Sequence, residues 1–137
     1  MIIEEWQKIW TDYQGSSWTK SIIPDIRPWI RRKHGDLTYC LTQVISGHGC
    51  FYKYLMGVRR RETDECQYCK EVDDVQHVIF ECERWTIKRK EMEIKLKNDV
   101  NTKNLIDLMI KEKENWTIIT KFIEEVLNTK EMEDSRT

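Results

Sequence analysis

From residue 2 to residue 14 the apolar side chains Ile2, Trp6, Ile9, Trp10 and Tyr13 recur at i, i+4, i+7, i+8 and i+11, the period of one helix face. Gly15-Ser16-Ser17 ends that pattern. The next segment, 18–35, holds two prolines with Asp25 between them. It predicts an extended lead-in, then a helix opened by Asp25 or Pro28 and stopped by Gly35. Leu37, Cys40, Leu41, Val44 and Ile45 fall on one face of a third predicted helix, which Asp36 or Thr38 caps. Gly47-His48-Gly49 interrupts it before a fourth helix expected to bury Phe51, Leu55 and Val58.

The second half reads the same way. Residues 84–97 predict a charged helix with a thin apolar stripe of Trp85, Met92 and Leu96, the remainder covered by the stems of Lys88 and Arg89. Thr102 is placed to cap a helix that turns Leu105, Leu108 and Met109 inward, and Asn115 to open the last one. There Trp116, Ile119, Phe122, Ile123, Val126 and Leu127 keep the 3.6-residue period. Residues 131–137 are polar and predict a frayed, disordered tail. The expected fold is therefore mainly α: a small helical domain with an embedded zinc knuckle and at most a short β-hairpin. The segments divide as 1–61 (helical), 62–86 (knuckle), 87–130 (C-terminal helices) and 131–137 (tail).

The chemistry concentrates in CQYCKEVDDVQHVIFEC. Cys66 and Cys69 form a C-x2-C pair, and His77 and Cys82 follow after gaps of seven and four residues. Three thiolates and one imidazole make the full donor set of a closed, four-coordinate Zn2+ site. Asp73 or Asp74 can cap a short helix that delivers His77. On an unbroken α-helix Cys82, five residues on, would point about 140° away from it, so the helix must end or tighten first. The alternative is three buried free cysteines and a surface histidine. Five cysteines is an odd count, which together with a metal-bound set suits a reducing compartment, intracellular and either nuclear or cytoplasmic. No stretch approaches the length of a membrane span, so no membrane partner is expected.

Net charge is only -1, but it is unevenly spread. Residues 26–61 hold eight Lys/Arg against the single acid Asp36, a net of +7, leaving 15 basic and 23 acidic residues elsewhere. Such a block can meet a phosphate backbone, or it can be a solvated helix face. The candidate contacts are Arg31, Arg32, Lys33, Lys53, Arg59, Arg60 and Arg61, with His48 between its two glycines. Trp29, Tyr39, Tyr52 and Tyr54 are interleaved with them, as stacking platforms or as core. His48 lies near Cys50, yet no third group orients the two as base and nucleophile. No catalytic residue is assigned.

Two motifs in order give the chain a resemblance. Thr42, Gln43, Ser46, Gly47, His48, Gly49, Phe51, Tyr54 and Leu55 match a T-Q-x-L-[ST]-G-H-G-x-F-x-x-Y-L pattern, with Ile45 at the usual Leu; Cys66, Cys69, His77 and Cys82 match a Cys-Cys-His-Cys knuckle. Together they resemble the C-terminal region of the pol proteins of insect non-LTR (LINE-like, type-1) retrotransposable elements over about residues 5–128. Polymerase and endonuclease residues lie outside this segment in that family, and the gap before His77 exceeds that of retroviral nucleocapsid knuckles. The resemblance implies a non-catalytic accessory domain of a reverse transcriptase, holding template RNA or target DNA. The alternative is a zinc-stabilised module that docks on the reverse transcriptase domain or another protein.

Overall fold

The computed structural model describes residues 2–135. Its longest element is α8, Lys113–Asp134, 22 residues and so about 33 Å of helix. Its predicted stripe is buried in full: Trp116, Ile119, Phe122, Ile123, Val126 and Leu127 all face the core. Around it pack α4 (Tyr39–Ser46), α6 (Thr86–Leu96) and α7 (Leu105–Lys111). Farther out, α2 (Ser17–Ile22) rests on α4, α3 (Ile26–Arg31) on α7, and α1 (Ile2–Asp12) on α3. The short α5 (Tyr52–Gly57) leads into the knuckle. Among the described residues there is no sheet, only an isolated antiparallel bridge between Glu65 and Val72. The chain is thus mainly helical, and no described helix is long and apolar enough to cross a membrane.

Local signals account for most boundaries. Asp25 accepts from Arg27 N at the start of α3 and Thr38 from Leu41 N at the start of α4, as their residue types predict. Gly47, in the left-handed region at φ 77°, closes α4. Other expectations are corrected. Residues 17–22 are helical rather than extended, since the first proline comes only at Pro24, after that helix has ended. α7 is opened by Asn104 and a reciprocal turn with Asn101, whose Oδ1 accepts from Lys103 N and Asn104 N, not by Thr102. α8 begins at Lys113, two residues before Asn115. Leu37 and Val58 are exposed and Leu55 is only half-buried, because α5 is a short surface helix whose buried residue is Tyr52.

The expected frayed tail is overturned for residues 131–134, which complete α8; 136–137 lie outside the described residues. A buried charge cluster keeps that end ordered. Lys130 is 2% exposed, and its Nζ lies 3.0 Å from Asp73 Oδ2 and 2.7 Å from Asp134 Oδ2, over the Tyr52 ring. Arg84 reaches Asp134 and Glu133 from the end of the knuckle. Asp73 also accepts from Tyr52 N through Oδ2 and from Lys53 N through its carbonyl, so it caps α5 as well. Burial raises the Asp134 carboxyl, but Lys130, Tyr52 and Arg84 outweigh it and hold the group below 3.8. Its contribution to stability is therefore present above pH 3.8 and fades as pH falls through the lower folded value.

One core runs through all three predicted segments: Leu41 and Phe51 from the first, Val75, Ile79, Cys82 and Trp85 from the second, and Met109 and Ile123 from the third. Removing Lys130 would strand Asp73 as a buried, uncompensated charge. Lys130→Met should cost about 3–5 kcal/mol in urea unfolding. The exposed Arg31–Glu4 pair, at 3.4 Å, gives the contrast: Arg31→Ala should cost less than about 1 kcal/mol.

Candidate metal centre

The knuckle is built from a tight turn and a wide one. Glu65 and Val72 bridge, Cys66 N donates to Glu71 O and Lys70 N to Cys66 O, with Lys70 left-handed at φ 64°. This folds Cys66 and Cys69 to one side. Asp74 Oδ1 then accepts from His77 N, capping the short helix as its residue type predicts. The helix ends at Glu81, before Cys82 as expected, but its last turn does not tighten. It widens: His77–Glu81 is a π turn, and Cys82 N donates to His77 O across 2.6 Å. An i→i+5 ring holds nearly one more residue per turn than an α ring, so residue i+5 comes back over residue i. That widening brings Cys82 round to His77.

The four ligand atoms of Cys66, Cys69, His77 and Cys82 all lie within 4.8 Å of one another. Cys82 Sγ is 3.9 Å from Cys66 Sγ and 3.8 Å from Cys69 Sγ, and all five cysteines are free. A tetrahedron with metal–sulfur bonds of about 2.3 Å has edges of about 3.8 Å, so the sulfurs stand where such a site puts them. His77 is 4% exposed, and neither ring nitrogen has a hydrogen-bond partner. Its Nδ1 is 3.7 Å from Glu71 Oε2, too far for a hydrogen bond. A buried imidazole with no partner is costly unless it donates a lone pair to something else. Burial pushes the Cys82 thiol up to about 12, with the neighbouring Cys66 and Cys69 adding to the rise. Three packed sulfurs therefore need a cation before they can all be thiolates. The cluster can hold a metal ion.

Arg89, read from sequence as a covering stem, is the residue that seats the knuckle. It is buried, and its guanidinium donates to the carbonyls of Ile79, Cys82 and, at 3.4 Å, Val78. Val78 and Ile79 lie in the π turn, and Cys82, just past it, also accepts from Trp85 N. Nothing in the helical period of 84–97 marks Arg89 as buried. Arg at that position is distinguished only by the five donors it can aim at a helix end.

The basic block is scattered rather than gathered. Arg32 lies over Trp29 and Trp116 and donates to Trp29 O, while Gly35, at φ 103°, packs so close to Trp116 that a Cβ there would sit 2.5 Å from the ring. Arg31 pairs with Glu4, and Lys33 is exposed. At the far end Arg61 covers the Tyr52 ring at 3.8 Å and donates to Asp134 O. Trp116 and Asp134 are 18 residues apart on α8, about 27 Å. The two clusters therefore do not form the single surface that proximity in a compact fold would suggest.

The Gly47-His48-Gly49 turn sits between these ends. Gln43, buried, accepts from Cys50 N and donates to Glu131; a Cβ on Gly49 would collide with it at 1.9 Å. His48 stacks on Tyr54 at 4.4 Å and is exposed, as are Lys53, Arg59 and Arg60. Cys50 is pushed up to about 12 by burial, the reverse of an activated thiol. No protein-family model matches the chain, and neither a curated protein nor a solved structure does.

His77→Ala should lose the bound ion, whereas His77→Cys keeps a four-donor set and should retain it; equal retention by the two, measured by elemental analysis, would show that His77 is not a ligand. Arg89→Met should weaken metal affinity about 10- to 100-fold in a chelator competition, the usual loss when an outer partner of a site is removed. Uptake must also displace the Cys82 proton. Apparent affinity should rise as pH is raised from about 6 to 8, with proton release visible by calorimetry.

Proposed function

We propose that the ion is zinc and that the chain is a non-catalytic, zinc-stabilised nucleic-acid-binding module. Zinc follows from the donor set, since three thiolates and an imidazole with no place left for water suit a structural zinc site. The observation that carries the binding role is the stack of exposed His48 on half-buried Tyr54, flanked by Lys53, Arg59 and Arg60. Accessible ring surface beside uncommitted cations is what contact with a nucleic-acid strand requires. Arg32 and Arg61 drop out of the contact set, because both are engaged within the fold. The reading agrees with the resemblance to retrotransposon reverse transcriptases, in which such a segment would hold template RNA or target DNA.

One observation favours a second reading, a docking module. The amphipathic face of α1 is largely uncovered: Trp6 is 49% and Ile9 67% exposed. A salt titration separates the two. Phosphate contacts make affinity fall steeply with salt, by a slope of about 0.9 per contact on duplex DNA, whereas an apolar face does not.

Arg59→Glu with Arg60→Glu should weaken RNA and DNA binding alike and flatten the salt slope by about two contacts' worth, leaving zinc content unchanged. A parent chain with no affinity for either nucleic acid at low salt would overturn the binding reading in favour of docking through α1.

A further inference from the structure

A slot opens between α2, the Gly47-His48-Gly49 turn, α5 and the knuckle. Its volume is about 380 Å³, and Trp18, Phe51, Tyr54, Val58 and Val75 wall it, with Lys53 among the few polar groups that line it. That is within the range of small-ligand pockets, roughly 300–1,000 Å³. The walls are fixed. Trp18 Nε1 donates to Val44 O and Thr19 Oγ1 to Ile45 O, holding α2 against α4. Phe51 is fully buried, and Tyr54 is backed by the His48 ring. Gly57 also lines the slot, and a Cβ added there would meet nothing within 4 Å.

The geometry points to this slot as the seat of one unpaired base of a single-stranded nucleic acid, with Lys53, Arg59 and Arg60 on the adjoining phosphates. The inference rests on the nucleic-acid reading above and adds the class of strand. Aromatic walls suit any base, because every base has a π face to stack. Cationic residues at and beside the mouth suit a polyanion: Lys53 lines the slot, and Arg59 and Arg60 follow Val58 directly in the chain. The acid that lines it, Asp74, already accepts from His77 N. A base inside a duplex is stacked on both faces and paired at its edge, so it cannot enter. The site therefore distinguishes single strands from duplexes although phosphates alone would not.

The test uses the full, zinc-loaded chain with single-stranded 2-aminopurine oligonucleotides and their duplexes. The parent should prefer the single strand and alter 2-aminopurine emission. Gly57→Phe fills the slot from a position with room for a side chain; it should weaken single-strand affinity about 5- to 100-fold, the worth of stacking one base, and leave duplex affinity unchanged. Gly57→Ala, too small to fill it, should bind as the parent does. Val58→Glu places an anion at a position 45% exposed and should reproduce the Gly57→Phe loss without touching the core. Single-strand affinity unchanged in both slot variants would overturn the inference, and would be the result if a protein side chain occupied the slot. Equal parent affinity for single strand and duplex, with a normal salt slope, would overturn the slot alone. No affinity for either would overturn the binding reading with it.

Discussion

Lys130 is placed where water cannot reach it, between the carboxylates of Asp73 and Asp134 and over the face of Tyr52. Burying an ammonium is unfavourable unless it is paired and its donors are used. Here the pairing joins the knuckle to the last turns of α8, alongside the Arg84 ion pairs. Asp73 belongs to the knuckle and caps α5; Asp134 ends α8 and takes Arg84 from the end of the knuckle. Because each partner is already committed, the knuckle cannot shift against α8 without exposing a charge to an apolar surrounding.

The same logic explains the arginines. Arg89 supplies the π turn with donors that a normal helix end would draw from water. Arg32 lies against two indoles that stack on each other, and Arg61 covers a phenol while closing the last turn of α8. Charge counted along the sequence overstates what is available to a partner, since a guanidinium that stacks and donates internally is part of the packing. Lys53 on α5 and Arg59 and Arg60 in the turn after it stay exposed instead.

What the sequence made legible was whatever depends on near neighbours. The α8 stripe, the Asp25, Thr38 and Asp74 caps, the Gly47 stop and the C-x2-C turn are all decided within a few residues. The four-residue gap from His77 to Cys82 showed that a plain α-helix fails, but not that the remedy is a wider turn. That choice depends on Arg89, which binds the turn's carbonyls from the next helix. The pairing of Lys130 with Asp73, read from sequence only as a possible helix cap, was equally silent, because it appears only when two residues 57 positions apart are brought together. The basic block misled for the same reason: Arg32 and Arg61 belong to one charged run, yet they meet α8 at Trp116 and Asp134, about 27 Å apart.

The order of these pieces along the chain has a consequence for synthesis. All four donor residues lie between positions 66 and 82, so the complete donor set leaves the ribosome as one short segment, well before the last helix. Closing so short a loop carries little entropic cost, and the knuckle can form while the rest of the polypeptide is still being made. Lys130 arrives much later. Until then Asp73 has no cation and Val78 and Ile79 have no α8 to lie against, leaving a nascent intermediate with an apolar flank and an unmatched carboxylate. Arrival of the last helix completes that intermediate, and a chain truncated before Lys130 would stop there.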